Sequence, residues 1–259
     1  MKVTGCGASH RGNLRAHNED NLFVNGAYRK DVTVDNTLFR EIREQGPFTY
    51  AVFDGLGGGD KGEIASLIAA ERLAAADSYG LNGRMDSYIL DAHNSIADYS
   101  RKEKLYEMGT TIAMVNISGS AAQVCNIGDS RVYLWRSGRL TQLSHDHNVK
   151  QSMIDSGIIT AEDARKTNRG GELTQYLGII TEDDMEPEAY FTDIRLMNGD
   201  VILLCSDGLT NELDEDDIAE TIEKNRDRGA ERTAVTLVWK AVQGACRDNV
   251  TAVAICITE

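Results

Sequence analysis

The sequence predicts a mixed α+β fold in which packed sheets are covered by outer layers of helices. Two observations predict it. Between Gly109 and Leu143 four strand signals follow one another, with turns at Ser118-Gly119-Ser120 and Ser137-Gly138. Spacing that short requires antiparallel meander pairing rather than βαβ crossovers. The helix signals, in turn, come in pairs rather than one after each strand.

Taken in order, Val3 to Cys6 reads as a first strand and Leu22-Phe23-Val24 as a second. Asn36 to Glu44 is helix-like, inside a stretch from Tyr28 to Gly46 that has no assigned role. Phe48 to Phe53 is a strand by its apolar and β-branched content. Lys61 to Ala76 and Met85 to Glu103 carry helical periodicity. Thr110 to Ile117, Ala121 to Ile127 and Val132 to Trp135 are strands of the meander, and Asn148 to Ser156 is a short helix. Val201 to Cys205 returns to strand, Asp214 to Asn225 and Arg232 to Gln243 form a second helix pair, and Val250 to Ile257 is the last strand. Asp214-Glu215-Asp216-Asp217 suits the positive end of a helix dipole and reads as a helix start. The prolines are Pro47 and Pro187 alone, and neither a Gly/Ser tract nor a repeat marks a linker, so a single domain over residues 1–259 is expected.

With 27 Lys+Arg against 41 Asp+Glu the net charge is −14. Such a chain lacks the clustered cations that grip nucleic acid or an anionic membrane, and neither partner is expected. Apolar residues at 41% and charged residues at 26% are those of a folded globule. The N-terminus has no apolar stretch of signal-peptide length, and runs such as Val201 to Cys205 are far short of a membrane span, so a cytoplasmic protein is expected. Cys6, Cys125, Cys205, Cys246 and Cys256 are odd in number and free of C-x-x-C pairs, as reduced thiols would be. Nothing implies an oligomer, and a monomer is expected.

Three motifs suggest chemistry that their surroundings do not support. Gly57, Gly59 and Gly62 satisfy G-x-G-x-x-G, but there is no second strand ending in an acid about 20 residues on, and no Gly-Lys-Ser/Thr makes it a P-loop. Cys125 to Arg131 has the C-x-x-G-x-x-R spacing of cysteine-dependent phosphatases. The segment after it is the strand Val132 to Trp135 rather than the helix that would lower a thiol pKa, and Asp129 would repel a thiolate. His145-Asp146-His147 has no third soft ligand nearby, so a surface or supporting role is expected.

Carboxylates at strand ends form the stronger pattern. Asp54, Asp129 and Asp207 each come after an apolar run, Asp248 precedes one, and Glu19-Asp20 precedes Leu22-Phe23-Val24. One acid at a strand tip is commonly a turn former. If five such points converge, only cations offset their repulsion, and an oxygen-only ligand set selects Mg²⁺ or Mn²⁺. Two ions sharing a carboxylate can activate a water for in-line phosphoester hydrolysis. Arg15, four residues before Glu19, is placed for bidentate contact with a phosphoryl group.

Arg15 to Asp20, Val52 to Gly58, Gly109-Thr110-Thr111, Asn126 to Arg131, Cys205 to Leu209 and Arg247 to Thr251 resemble, in order, the motif series of PP2C-type (PPM) metal-dependent protein serine/threonine phosphatases, in their short bacterial form. The resemblance runs from about Thr4 to Ile257. It implies a four-layer α-β-β-α sandwich, with two central, mainly antiparallel sheets flanked by helix pairs. It implies Asp54 as the acid bridging two Mn²⁺ or Mg²⁺ ions, Gly55 as a carbonyl ligand, and Asp207 and Asp248 as ligands of the first metal. Glu19 and Asp20 would act through metal-bound waters, Arg15 would bind the substrate phosphate, and Asp129 would help hold a third, weaker ion. Substrates would be phosphoproteins, opposed by a serine/threonine kinase. Leu56 stands where some members carry a His general acid, which leaves protonation of the leaving alkoxide to a metal-bound water. The segment His145 to Gly178 corresponds to a variable flap beside the site. Two other readings keep their own tests: a non-catalytic phosphoprotein-binding module would show no turnover with Mn²⁺, and Cys125 chemistry would be lost in Cys125→Ser.

Overall fold

Apolar runs become central strands where both faces of a sheet are covered, and that is the case through most of this chain. The computed structural model describes residues 1–43, 46–56, 61–77, 80–81, 83–105, 107–167, 169–180 and 186–258. Its strands are β1 (Lys2–His10), β2 (Asn21–Val24), β3 (Ala27–Tyr28), β4 (Asn36–Arg43), β5 (Phe48–Phe53), β6 (Gly55–Leu56), β7 (Gly109–Thr110), β8 (Ile112–Ser118), β9 (Ala121–Ile127), β10 (Arg131–Arg136), β11 (Arg139–Gln142), β12 (Tyr190–Arg195), β13 (Val201–Cys205) and β14 (Val250–Thr258). The helices are α1 (Gly62–Asp77), α2 (Met85–Glu103), α3 (Val149–Asp155), α4 (Ala161–Arg165), α5 (Asp207–Thr210), α6 (Glu215–Asn225) and α7 (Gly229–Gln243).

One six-stranded sheet has the order β11-β10-β13-β14-β1-β4 and the other β12-β9-β8-β5-β2-β3. Every pairing in both is antiparallel among the described residues. Their inner faces meet in a core that includes Val3, Leu22, Tyr50, Val115, Leu204 and Ile255. The outer face of the first sheet is covered by α5, α6 and α7, and that of the second by α1 and α2. The result is the α-β-β-α sandwich that the resemblance implied.

Alternation along single strands explains the continuous apolar runs. In β14, Val250, Ala252, Ala254 and Cys256 face the helices, while Val253, Ile255 and Ile257 face the other sheet. The sheets pack closely where side chains are missing: a Cβ on Gly5 of β1 would enter the ring of Tyr50.

Several boundaries differ from expectation. The helix-like reading of Asn36 to Glu44 is wrong: Asn36–Arg43 is the edge strand β4, paired with β1 from His10↔Asn36 to Val3↔Arg43, and Glu44 lies outside the described residues. The alternation that decides it is weak in sequence, with Thr37 and Phe39 half-buried against exposed Asn36, Leu38 and Arg40, so the ladder offered by β1 overrides local pattern. The expected strand from Thr110 breaks at Thr111, which separates β7 from β8, and α7 begins at Gly229 rather than Arg232. Asn148 and Asp214 lie one residue outside α3 and α6 and cap them, accepting from Gln151 N at 2.9 Å and Asp217 N at 2.8 Å.

Candidate functional site

Antiparallel pairing brings the ends of some strands beside the starts of others, and here it assembles the acids. Asn21↔Phe53 in the β2–β5 ladder sets Asp20 beside Asp54. Cys205↔Ala252 in the β13–β14 ladder brings Asp207 toward Asp248. Ile112↔Ile127 in the β8–β9 ladder places Thr111 near Gly128 and Asp129. The sequence-predicted acids at 20, 54, 129, 207 and 248 thus meet at one edge of the sandwich.

Their electrostatics report the crowding. Burial pushes the Asp54 carboxyl well above the usual range, and the charges of Asp20, Asp207, Asp248 and Asp129 push it further. Asp207 is raised by burial and by Asp248, against hydrogen bonds from Asp54 and Asn211 that favour its ionised form. Asp20 is fully buried and pushed up to about 7, chiefly by desolvation. Asp129 is also raised to about 7, by burial and then by Asp207 and Asp146. Glu19 stands to one side, raised by burial and lowered by Arg15, in a pocket lined by Arg15, Ala16, His17, Glu19, Lys61 and Glu63. Among the described residues no three Asp, Glu, His or Cys side chains are drawn together as a closed ligand cluster. The acids meet through their fields and through pairwise hydrogen bonds.

Neighbouring groups hold Asp54 and Glu19 by the backbone and Asp20 by its carboxylate. Asp54 O accepts from Thr111 N at 2.9 Å and Thr110 Oγ1 at 2.9 Å, while Asp54 N donates to Thr111 Oγ1 at 3.1 Å. Asp20 Oδ2 accepts from Ser206 Oγ at 2.8 Å and Thr251 Oγ1 at 2.6 Å, and its Oδ1 is buried without a partner. Asn249 secures the loop that carries Arg15 and Glu19: its Nδ2 donates to Arg11 O at 2.8 Å and His17 O at 2.9 Å, and its Oδ1 accepts from Glu19 N at 2.7 Å. A Cβ on Gly55 would collide with the carbonyls of Gly62 and Glu19, and one on Gly208 with the carbonyl of Asn249. Both sites of close backbone approach therefore require glycine. Arg15 pairs bidentately with Asp248, through Nε at 2.8 Å and Nη2 at 2.8 Å.

The flap-like segment is fastened to the Asp129 turn. His147 N donates to Gly128 O at 2.9 Å, Asn126 Nδ2 to His145 O at 2.7 Å, and Arg131 holds the buried Asp146 with Nε and Nη2. This is the supporting role expected of His145-Asp146-His147; His145 itself turns to Asp155 at 2.8 Å. Cys125 lies in β9, wholly buried, with its thiol pushed far above its ordinary value by burial. Of the G-x-G-x-x-G reading, Gly57 and Gly59 lie outside the described residues. Sequence reasoning missed Ser206, Thr251 and Ser9, whose hydroxyls chain together behind Asp20 (Ser9 Oγ to Thr251 Oγ1, 2.8 Å), and it missed Arg29. Ser206 directly before Asp207 was the available signal; for Ser9, Thr251 and Arg29 there was none.

An ion would have to replace two things here: the protons that the raised pKa values keep on the carboxyls, and the missing partner of Asp20 Oδ1. An all-oxygen, acid-rich donor set with one buried orphan oxygen fits a hard divalent cation.

Comparison with known proteins agrees with that chemistry. The family profile described as "Protein phosphatase 2C" matches residues 25–238. The chain is 31% identical over 250 residues to the serine/threonine protein phosphatase PstP of Mycobacterium tuberculosis, covering 95% of this chain and 43% of that protein, so it spans less than half of PstP. It is 30% identical to the serine/threonine phosphatase Stp of Listeria monocytogenes, covering 93% and 90%. A crystal structure of the PstP catalytic domain in complex with two manganese ions aligns with a TM-score of 0.77 at 30% identity, covering 99% of this chain and 100% of that one. The chain belongs to the protein phosphatase 2C family.

Proposed function

We propose that this protein hydrolyses phosphoserine and phosphothreonine in proteins, with Mn²⁺ or Mg²⁺ as cofactor. The observation that carries the proposal is the meeting of Asp20, Asp54, Asp207 and Asp248 from four separate segments, with no soft donor among them. Asp54, Gly55, Asp207 and Asp248 would hold two ions, Glu19 and Asp20 would support them from behind, and Asp129 would serve a third. When bound, the ions supply activation of a water and charge balance for the phosphoryl group.

The chain's own groups do the rest. Arg15 reaches Asp248 with a fork suited equally to phosphoryl oxygens, so substrate must compete for that guanidinium. Thr110 and Thr111 fix the main chain of Asp54, and Asn249 fixes the loop of Arg15. Leu56 offers no proton to the departing serine or threonine oxygen, so that proton comes from water. Substrates would be phosphoproteins made by an opposing serine/threonine kinase. The protein would act in cytoplasmic signalling as a monomeric single domain over residues 1–259, with selectivity set by the segment 145–178. No helix among the described residues is long and apolar enough to cross a membrane.

The test is release of phosphate from phosphopeptides with added Mn²⁺, repeated in EDTA and in Asp54→Asn. Turnover that depends on metal and disappears in the variant is expected; full turnover in EDTA would overturn the proposal.

A further inference from the structure

The acid-bearing segment Asn18-Glu19-Asp20 lies outside any ladder, so each of its backbone groups needs a partner from elsewhere. Its three carbonyls are all taken by side chains. Glu19 O accepts from Ser66 Oγ at 2.6 Å. Asn18 O, at 2.8 Å, and Asp20 O both accept from Nη2 of one residue, Arg29.

Arg29 belongs to the stretch beginning at Tyr28 that the family resemblance left without a role. The residue is 2% exposed, and its guanidinium faces carbonyl oxygens instead of a carboxylate. The other fork nitrogen, Nη1, donates to Val32 O and Val34 O at 3.2 Å each, so one side chain ties the outer loop to the acid segment. Asn21 locks the backbone of Arg29, its Oδ1 accepting from Arg29 N at 3.0 Å and its Nδ2 donating to Arg29 O at 2.9 Å. Asn18 Nδ2 adds a second tie, donating to Asp35 O at 2.8 Å.

A buried cation is costly, and it persists only where its donors are used and negative charge lies near. At the fork both conditions hold: four carbonyls take the two terminal nitrogens, and Asp20 and Asp35 supply the field, while Nε is buried without a hydrogen-bond partner. A planar fork is what reaches carbonyls on two different segments, and the point charge of a lysine cannot reproduce that.

We infer that Arg29 is a positioning residue, holding Asn18–Asp20 so that the carboxyl of Asp20 faces the ion site, and that the 28–36 stretch exists in this chain as its support. The inference rests on the proposed divalent-metal site. The test is calorimetric titration of Mn²⁺ into the full chain, native and as Arg29→Lys and Arg29→Met, with thermal unfolding in EDTA and in Mn²⁺. Loss of groups that orient ligands from behind typically weakens metal affinity by roughly 10-fold or more, and that loss is expected in both variants. The Mn²⁺-induced rise in Tm should shrink with it. If Arg29→Met does not fold, Arg29→Lys carries the same readout. Variants that lose Tm in EDTA yet keep the native Mn²⁺ affinity and the native Tm increment would show Arg29 to be a fold residue only, and would overturn the inference. Native protein that binds no Mn²⁺ would instead overturn the metal-site reading beneath it.

Discussion

Asp54 and Asp207 share a hydrogen bond that survives only while one of them holds a proton. In Asp54→Asn one carboxyl of the crowded cluster is gone, so in EDTA the variant should melt above the native protein while its phosphopeptide turnover falls on the order of 10²-fold or more. Opposite signs for stability and activity, read by thermal unfolding and phosphate release, are the expected pair. Proton linkage gives a second expectation. Asp20 rises from 3.8 to about 7 on folding, so the folded state holds the extra proton between those values. Stability contributed this way is fully present below the unfolded value and is lost as pH rises through about 7. Metal-free protein should therefore unfold at lower urea at about pH 8 than at about pH 5, and Mn²⁺ should offset the difference. The thiols give a third. Cys205 is pushed up to about 12 and Cys246 to about 11 by burial, and all five cysteines are buried. Native protein should resist a disulfide reagent that labels every thiol after denaturation, and Cys125→Ser should keep its turnover. The acids were legible in the sequence because each stands against an apolar run. Ser206, Thr251 and Arg29 were not, because a hydroxyl or guanidinium in a polar turn reads alike whether it faces water or a buried carboxyl.

Among the elements, those buried on both faces were the easiest to read. β13 and β14 are apolar at nearly every position, and Leu203→Ala in β13 should cost about 2–5 kcal/mol by urea unfolding. Elements that obtain their partners only from tertiary contacts were missed. β12 is exposed or half-buried along its length and pairs only with β9 among the described residues, and β4 has a helix-like sequence that its ladder with β1 overrules. α3 buries no side chain and depends on its cap. Asn148 also reaches Asp129, so Asn148→Ala should cost about 1 kcal/mol at the start of α3 and raise the Asp129 carboxyl further, detectable as a change in the pH dependence of turnover.

Over the molecule as a whole, the charge of −14 has two origins. Some of it is concentrated where strand ends converge, and the rest is solvated surface, as at Asp214 to Asp217. The antiparallel order also sets the path of folding. β1 lies between β14 and β4, and Lys2 stands opposite Thr258. β1 thus waits for a central neighbour that lies about 250 residues further along the chain. The sheet that carries Asp207 and Asp248 cannot close while β14 remains in the exit tunnel, so nascent chains ending before β14 should depend on chaperones. The same adjacency brings residues 2 and 258 together, and a short Gly/Ser bridge between them, with new ends opened in the exposed turn at Ser137-Gly138, should give a circular permutant that folds.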